Sequence, residues 1–272
     1  MKLLLIIARF FKKNIIRQVI YLILLIAIFG LFFFLKETQV LPQGAIFILP
    51  SIEQASFKEK VLIFAPHPDD ETLAAGGYIE KAIKNQAEVY IVLITDGNRH
   101  RLREKRYQEF ESATSMLGVH KDHLVFLNYP DGKLRYQDKN VLEQQFKGII
   151  DSTQPNIVIY PIHEDHHLDH KTTGQILGII LNNYPNIKSY GYLIHHNYFP
   201  QPTGLHKDAY LMPPLSLLKF NQTWNSLKMD DTEENLKWEA LKEYKTQFRN
   251  PYLKDTLPAF VRKNEIFVLG SK

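Results

Sequence analysis

Short apolar runs alternate with segments of helical period from residue 61 onwards. The apolar runs predict buried strands at Val61–Ala65, Val89–Thr95, Leu124–Leu127, Ile157–Tyr160 and Ser189–His195. The segments of helical period predict helices at Glu71–Asn85, Leu102–Leu117, Val141–Ser152, Lys171–Asn183 and Thr232–Phe248. Continuous apolar strands that alternate with helices form a mainly parallel sheet covered by helices on both faces. The pattern therefore predicts one α/β domain over residues 61–272, less regular after about residue 200.

A 17-residue stretch without charge, Val19–Leu35, precedes this domain. At about 1.5 Å per residue its helix is near the lower limit for crossing about 30 Å of hydrocarbon, and snorkelling Arg17 and Lys36 extend it. A cleaved signal peptide is the alternative, but its apolar part is shorter, about 7–15 residues, and ends in a small-residue site that is missing here. We therefore expect a basic segment at 1–18, an uncleaved transmembrane helix at 19–35 and a linker at 36–60.

The distribution of charge predicts the orientation of this anchor. Five of the 33 basic residues lie within residues 1–35, which contain no acid. Positive residues stay on the cytoplasmic side, so the N-terminus is expected in the cytoplasm and the α/β domain outside it. The remaining chain holds 28 basic and 29 acidic residues, so the net charge of +4 comes from the anchor region. The charge therefore gives no support to nucleic-acid binding.

Candidate chemistry begins directly after the first predicted strand. The chain has no cysteine, so any metal site must use His, Asp, Glu or water. In parallel sheets ligands bind beyond the carboxyl ends of the strands, and His67-Pro68-Asp69-Asp70-Glu71 lies there. Acids also favour a helix start through the helix dipole, but that needs one acid and leaves His67 unexplained. A bound metal cation accounts for all four polar residues.

A second polar cluster follows the fourth predicted strand. Four of the 11 histidines fall within eight residues and are interleaved with three acids, in the run His163-Glu-Asp-His-His-Leu-Asp-His170. A solvated polar loop is the alternative, and it is the usual explanation for a single histidine. Imidazole and carboxylate ligands suit Zn²⁺, with Fe²⁺ or Mn²⁺ as alternatives, and three protein ligands plus water indicate a catalytic site.

The two clusters together resemble the LmbE-like/PIG-L family of zinc-dependent N-deacetylases. The resemblance rests on HPDDE at 67–71 and on His167-Leu-Asp-His170, and it covers about residues 60–250. Weaker marks are Thr95-Asp-Gly97, Arg106-x-x-Glu109, Pro130-Asp-Gly132 and Tyr244-x-x-Gln247. It implies a Rossmann-like α/β fold, here preceded by the transmembrane helix, and removal of acetyl from N-acetylglucosamine-type sugars. Asn98 departs from the family, in which many members have Glu there.

The resemblance also implies roles for individual residues. His67, Asp70 and His170 would be the zinc ligands. Asp69 would be the general base acting on a metal-bound water as nucleophile. His167 would stabilise the oxyanion or act as the acid, and Asp169 would orient His167 and raise its pKa.

Weaker candidates lie after the second and third strands. Arg99 and Arg103 could bind the sugar, although a solvated basic loop explains them equally well. Asp131 could bind a sugar hydroxyl, but a Pro-Asp-Gly turn is an equal explanation. Arg106 and Glu109, spaced i,i+3 on one helix, are expected to form a structural ion pair.

The function expected from these features is a membrane-anchored, metal-dependent N-deacetylase acting on an N-acetylated amino sugar or glycoconjugate. One alternative is that the same metal site hydrolyses another amide or acyl group. Another is a surface-anchored metal- or glycan-binding module without catalysis, although such a module gains little from both Asp69 and Asp70. A dinucleotide enzyme is disfavoured, because the first βα turn lacks G-x-G-x-x-G and its acids would repel a pyrophosphate.

Overall fold

A seven-stranded sheet forms the centre of the computed structural model, which describes residues 2–98 and 101–270. The strands are β1 (Lys60–Ala65), β2 (Glu88–Thr95), β3 (Leu124–Tyr129), β4 (Ile157–Pro161), β5 (Lys188–Tyr192), β6 (Trp224–Lys228) and β7 (Asn264–Leu269). The helices are α1 (Lys2–Thr38), α2 (Asp70–Lys84), α3 (Arg103–Met116), α4 (Lys139–Thr153), α5 (Leu168–Ile180), α6 (Asp231–Lys242) and α7 (Lys245–Phe248). The strand order is β3-β2-β1-β4-β5-β7-β6.

The predicted mainly parallel sheet is confirmed. Strands β1 to β5 pair in parallel, whereas β7 runs antiparallel to both β5 and β6. The last two strands were not predicted, because the chain after about residue 200 is less regular and both strands contain polar residues. Asn225 and Ser226 in β6 and Asn264 and Glu265 in β7 are nevertheless buried, and Asn264 Nδ2 donates to the Ser226 hydroxyl at 3.0 Å. Polar residues paired with one another inside the fold cannot be told from loop residues by pattern alone.

Both faces of the sheet are covered, as the continuous apolar strands predict. In β1 the side chains of Val61, Ile63 and Ala65 join a core with residues of α2, α3 and α6. The alternating residues Leu62 and Phe64 point to the other face and pack with α4 and α5. A strand whose residues all meet an apolar layer has no polar side, which explains why its sequence does not alternate.

Two differences between predicted and observed elements involve residues of the candidate site or its neighbours. The fifth strand stops at Tyr192 instead of His195, because the Asp165 carboxylate accepts the N–H groups of Ile194 and His195 at 3.0 and 2.9 Å. The helix predicted at Thr232–Phe248 is two helices, α6 and α7, which are separated at residues 243–244. In that break the buried Tyr244 turns its hydroxyl to Glu71.

The predicted N-terminal apolar helix is present and is longer than expected. Its segment Asn14–Thr38 has 25 residues, is exposed, and is long and apolar enough to cross a membrane. The chain after this helix is bound directly to the α/β domain. Leu41 N donates to Pro213 O at 2.8 Å, and Leu215 N donates to Gln39 O at 3.0 Å.

Residues 39–60 continue along the surface of the same domain. Ile46 and Ile52 are buried. Ser51 forms an isolated bridge with Ser226 in β6. The segment between α1 and β1 therefore packs on the α/β domain.

Candidate active site

The two polar clusters meet at the point where the sheet changes winding direction. β1 is paired with β2 on one side and with β4 on the other. The chain leaves β1 towards α2 on one face and leaves β4 towards α5 on the opposite face. Such a crevice at the carboxyl ends of two diverging strands is where open α/β sheets bind ligands.

Three buried side chains from these clusters converge on one point. Asp70 Oδ2 lies 3.3 Å from His67 Nδ1 and 3.0 Å from His170 Nε2. The two histidine nitrogens are 3.3 Å apart. Tetrahedral zinc with bonds of about 2.0–2.1 Å places neighbouring ligand atoms about 3.3–3.4 Å from one another. The donor atoms of His67, Asp70 and His170 therefore fit an ion of this size.

Two further histidines approach the same point. His167 groups with His67 and His170, and His195 groups with Asp70 and His170, in each case with ligand atoms within 4.8 Å of one another. The sequence places His195 only at the end of the fifth predicted strand, where a structural role and a place in the site are both open. The tertiary structure brings it to the cluster because β5 is the next strand after β4 in the sheet.

The electrostatics of the cluster call for bound positive charge. Burial raises the pKa of Asp70, but the neighbouring His170 and His67 outweigh burial and hold that pKa well below its usual value. Burial lowers the pKa of His67, but hydrogen bonds with Asp169 and Asp70 raise it to about 9. Protons on His67 and His170 thus balance the buried carboxylates when no metal is bound. A bound divalent cation would balance the carboxylates instead of these protons, and the imidazoles would then be neutral.

Asp69 lies next to the cluster in an unusual backbone conformation. Its φ of 125° is positive, which costs free energy for a residue with a side chain and is concentrated at functional sites. The side chain does not cap α2, although Asp69 occupies the cap position. Burial raises the pKa of Asp69 to about 8, against the lowering effect of Arg106. The strained backbone therefore directs the Asp69 carboxylate to the cluster and not to the first N–H groups of α2.

The expected ion pair between Arg106 and Glu109 is wrong. Arg106 Nη2 donates to Pro68 O at 2.7 Å, and Nη1 lies 3.5 Å from Asp131 Oδ2. Glu109 instead accepts from the backbone N–H of Thr246 at 2.9 Å. Helical spacing predicts only that two side chains are near each other, and here each finds a partner on another element. Arg106 therefore supports the loop that carries Asp69.

The predicted contact between the Asp169 carboxylate and His167 is also wrong. The carboxylate accepts from Gly132 N at 2.7 Å and from Leu134 N at 3.0 Å, and it lies 3.1 Å from His67 Nε2. It is therefore His67 that Asp169 orients. The backbone N–H of Asp169 donates to His167 Nδ1 at 3.3 Å. Burial lowers the pKa of His167 to about 3, so the ring is neutral and carries its proton on Nε2.

The three residues suggested for substrate binding have different positions. Asp131 lines the cavity described below, with Oδ1 3.5 Å from His67 Nε2. Arg103 donates to the Asn128 side chain at 2.8 Å and is not among the residues that line the cavity. Arg99 lies outside the described residues.

Asp165 is a buried residue of the site that the sequence did not single out. Its Oδ2 lies 3.2 Å from His170 Nδ1, and its Oδ1 accepts from His167 N at 2.9 Å. A carboxylate behind a metal-binding histidine fixes the ring orientation and raises its basicity. Its position among four histidines at 163–170 indicated a possible role in the site, but the sequence pattern did not show which of the three acids in that run faces the site.

A cavity of about 460 Å³ opens over the cluster. Its volume falls in the range of small-molecule sites, about 300–1,000 Å³. Its lining includes both polar and apolar side chains, among them His67, Asp69, Asp131, His167, Gln247, Asn250, Leu102, Phe199, Leu253 and Phe260. The cavity therefore offers a ligand both hydrogen-bonding groups and apolar surface.

The fold and site define a Rossmann-like α/β protein with a His/Asp site at the carboxyl ends of two strands. Residues 62–180 match the family described as PIG-L: GlcNAc-PI de-N-acetylase. That range contains β1 to β4 and both polar clusters. Over residues 62–180 the chain is therefore similar to the PIG-L (LmbE-like) family.

Curated relatives share this part of the chain. The diacetylchitobiose deacetylase of Thermococcus kodakarensis is 32% identical over 133 residues, which cover 44% of this chain and 48% of that protein. The probable N-acetyl-alpha-D-glucosaminyl L-malate deacetylase 2 of Bacillus anthracis is 29% identical over 140 residues, or 45% and 61% of the two chains. The matches thus span about half to three fifths of the length of these relatives.

A solved structure extends the similarity of the fold. The N,N'-diacetylchitobiose deacetylase from Pyrococcus horikoshii superimposes with a TM-score of 0.58 and 22% identity. The superposition covers 78% of this chain and 84% of that structure. The common fold therefore reaches well beyond residues 62–180, although at this identity it shows the fold alone.

Proposed function

We propose that this chain is a membrane-anchored, metal-dependent hydrolase, with zinc as the expected ion, that removes the N-acetyl group from an N-acetylglucosamine-type sugar or glycoconjugate. One observation carries the proposal. The donor atoms of His67, Asp70 and His170 lie 3.0–3.3 Å from one another, and the strained Asp69 lies beside them in the cavity wall. The relatives named above as deacetylases of acetylated glucosamine compounds support the substrate class.

An amide is a weak electrophile, so its hydrolysis needs an activated water. Zn²⁺ held by His67, Asp70 and His170 would act as a Lewis acid that brings the pKa of water from about 15.7 towards about 7. The positive charge of the ion would favour the carboxylate form of Asp69 despite its burial. This carboxylate accepts the proton of the attacking water while the new C–O bond forms at the acetyl carbon. General-base catalysis of this kind contributes typically about 10²–10⁴-fold. Arg106, 3.5 Å from Asp69 Oδ2, keeps this carboxylate aligned.

The second half of the reaction releases the amine. Neutral His167 donates a hydrogen bond from Nε2 to the carbonyl oxygen as negative charge develops there. The C–N bond then breaks, and Asp69 returns its proton to the departing amine. The products are acetate and the free amino sugar. This sequence needs no charged His167, which agrees with the effect of burial on its pKa.

The anchor is proposed to hold the cavity near a membrane surface. Gln39, just after α1, accepts from Leu215 N. The next residue, Ser216, has its hydroxyl 3.5 Å from His196 Nε2, and His196 lines the cavity. This proximity favours a substrate presented at the membrane. The basic residues before the span favour a cytoplasmic N-terminus and an extracytoplasmic domain.

Acetate release and metal content together test the proposed activity. The full-length protein in detergent would be incubated with N-acetylated mono- and disaccharides, cell-envelope glycans and other amides, and acetate would be quantified. We expect about one divalent ion per chain and acetate release from N-acetylglucosamine compounds. Asp69→Asn should keep the metal and lose at least about 10²-fold in kcat. The exposed Asp122→Asn is the matched control and should behave as wild type.

Four outcomes would contradict parts of the proposal. Metal binding without turnover on any substrate would favour the binding module. Turnover of other amides but not of acetylated sugars would indicate a different hydrolase. Full activity of Asp69→Asn would remove Asp69 as the base. Protease treatment of intact cells tests the orientation, since protection of the α/β domain would contradict an extracytoplasmic position.

A further inference from the structure

Helix α2, which begins at the candidate ligand Asp70, is broken after its first turn. Ala75 has φ −139° and ψ 19°, which is not helical. The first turn, residues 70–74, is therefore set at an angle to the remainder, residues 76–84. Such a break leaves carbonyl groups before it and N–H groups after it without helical partners. In this buried position those groups need partners from elsewhere in the fold.

A buried ion pair from two distant elements supplies these partners. Lys237 of α6 donates to Leu73 O at 2.8 Å, before the break. Glu265 of β7 accepts from Gly77 N at 2.7 Å and from Tyr78 N at 2.9 Å, after the break. The Lys237 ammonium and the Glu265 carboxylate are 2.7 Å apart, and both side chains are 0% exposed.

Two glycines make room for this pair. A Cβ atom at Gly76 would lie 3.1 Å from Lys237 Cγ. A Cβ atom at Gly77 would lie 2.1 Å from Met229 Sδ and 3.3 Å from Glu265 Oε1. The glycines at 76 and 77 therefore leave space for the ion pair directly after the break at Ala75.

We propose that Lys237 and Glu265 are positioning residues of the metal site: they bridge the break in α2 and so hold its first turn, with Asp70, at the angle that completes the ligand triangle. The inference rests on the proposed function, because it assigns a role towards the same metal. Stability alone does not explain the pair, since buried ion pairs are often no more stabilising than apolar residues of equal volume. In this proposal the break sets the direction of Asp70 towards His67 and His170. The carbonyl and N–H groups that the break leaves without helical partners can be hydrogen-bonded only by polar or charged side chains.

The test uses variants of the full-length protein and two readouts other than turnover. Lys237→Met and Glu265→Gln each remove one charge, and the double variant leaves no unpaired buried charge. Leu142→Ala, in α4 on the opposite face of the sheet, is the control for general destabilisation. The readouts are zinc affinity by chelator competition and amide hydrogen exchange of residues 73–79 in the metal-free protein.

We expect the double variant to bind zinc about 10–100-fold more weakly, as is typical when groups behind metal ligands are lost. Exchange at Gly77 and Tyr78 should accelerate at least about 10-fold more than exchange in β4. Leu142→Ala should change neither readout selectively. Gly76→Ala keeps both charges and crowds Lys237, so it should weaken zinc binding in the same direction and tests the inference should the charge variants fail to fold.

Wild-type zinc affinity and wild-type exchange at residues 73–79 in the double variant or in Gly76→Ala would overturn the inference. Changes equal to those of Leu142→Ala would also overturn it, since they would reflect general stability. A wild-type protein that binds no metal and releases no acetate would instead overturn the proposed function. The two failures are therefore distinguishable.

Discussion

Replacing Gly174 by Ala should displace helix α5, which carries the candidate ligand His170. Gly174 lies in α5, one helical turn after His170. An added Cβ would lie 2.4 Å from Pro161 O, 2.8 Å from His163 N and 2.8 Å from Ile162 C. All three are backbone atoms of the chain that leaves β4, so no side chain can rotate away. Helix α5 must therefore move away from the end of β4.

The size of the effect follows from these distances. Ordinary contacts begin at 3.4 Å, so the 2.4 Å contact requires a displacement of about 1 Å. Overpacking of this kind costs about 1–3 kcal/mol of the free energy of unfolding. At about 2–4 °C per kcal/mol, Tm should fall by about 2–12 °C. Because His170 moves with the helix, a misplacement of about 1 Å should also lower kcat/KM by up to about 10²-fold.

Gly178→Ala, one turn further along the same helix, is the matched control. Nothing lies within 4 Å of its added Cβ. The change removes a flexible residue from a helix, so it should stabilise by about 0.5–1 kcal/mol and raise Tm by about 1–4 °C. Thermal unfolding followed by circular dichroism, with acetate release on the same samples, measures both effects. Equal Tm shifts in Gly174→Ala and Gly178→Ala would refute the reasoning from close packing.

Three other predictions concern the groups around the ligands. Asp165→Asn removes the charge 3.2 Å from His170 Nδ1, so zinc affinity in chelator competition should fall about 10–100-fold; an unchanged affinity would show that Asp165 does not act through His170. Tyr244→Phe removes one of the two hydroxyls that donate to the buried Glu71, the other being that of Thr72, and should cost about 1–3 kcal/mol in urea unfolding, whereas a loss below about 0.5 kcal/mol would contradict the role of this bond. Free zinc at about 100 times its Kd should stabilise by about 2.7 kcal/mol, a Tm rise of about 5–11 °C, and no rise would speak against a metal site in the folded protein.

Much of the chemistry was predictable because it lies next to regular elements. The apolar runs place His67 and Asp70 after one strand and His170 after another, and parallel strands bring their carboxyl ends to the same edge. The structure adds the distances between these residues, which no spacing in the sequence contains. His195 shows the limit, since a single histidine at a strand end is uninformative until the order of the strands is known.

The wrong predictions have a common cause. Arg106 was paired with Glu109, and the Asp169 carboxylate with His167, because each pair is close in sequence. In the structure Arg106 turns to Asp131 and Asp169 turns to His67. A buried polar side chain takes the partner that satisfies it in three dimensions, and sequence neighbours have no advantage once the chain is folded.

The alternation of strands and helices, the N-terminal apolar helix and the polar residues at two strand ends could all be predicted from the amino-acid sequence. These features depend on local periodicity and on which side chains follow each strand. The place of β6 and β7 in the sheet, and the contacts of Lys237 and Glu265 on either side of the break in α2, become visible only in three dimensions. Those residues are polar and far apart in the chain, so their burial is favourable only when each meets its partner, and a pattern along one chain cannot show that meeting.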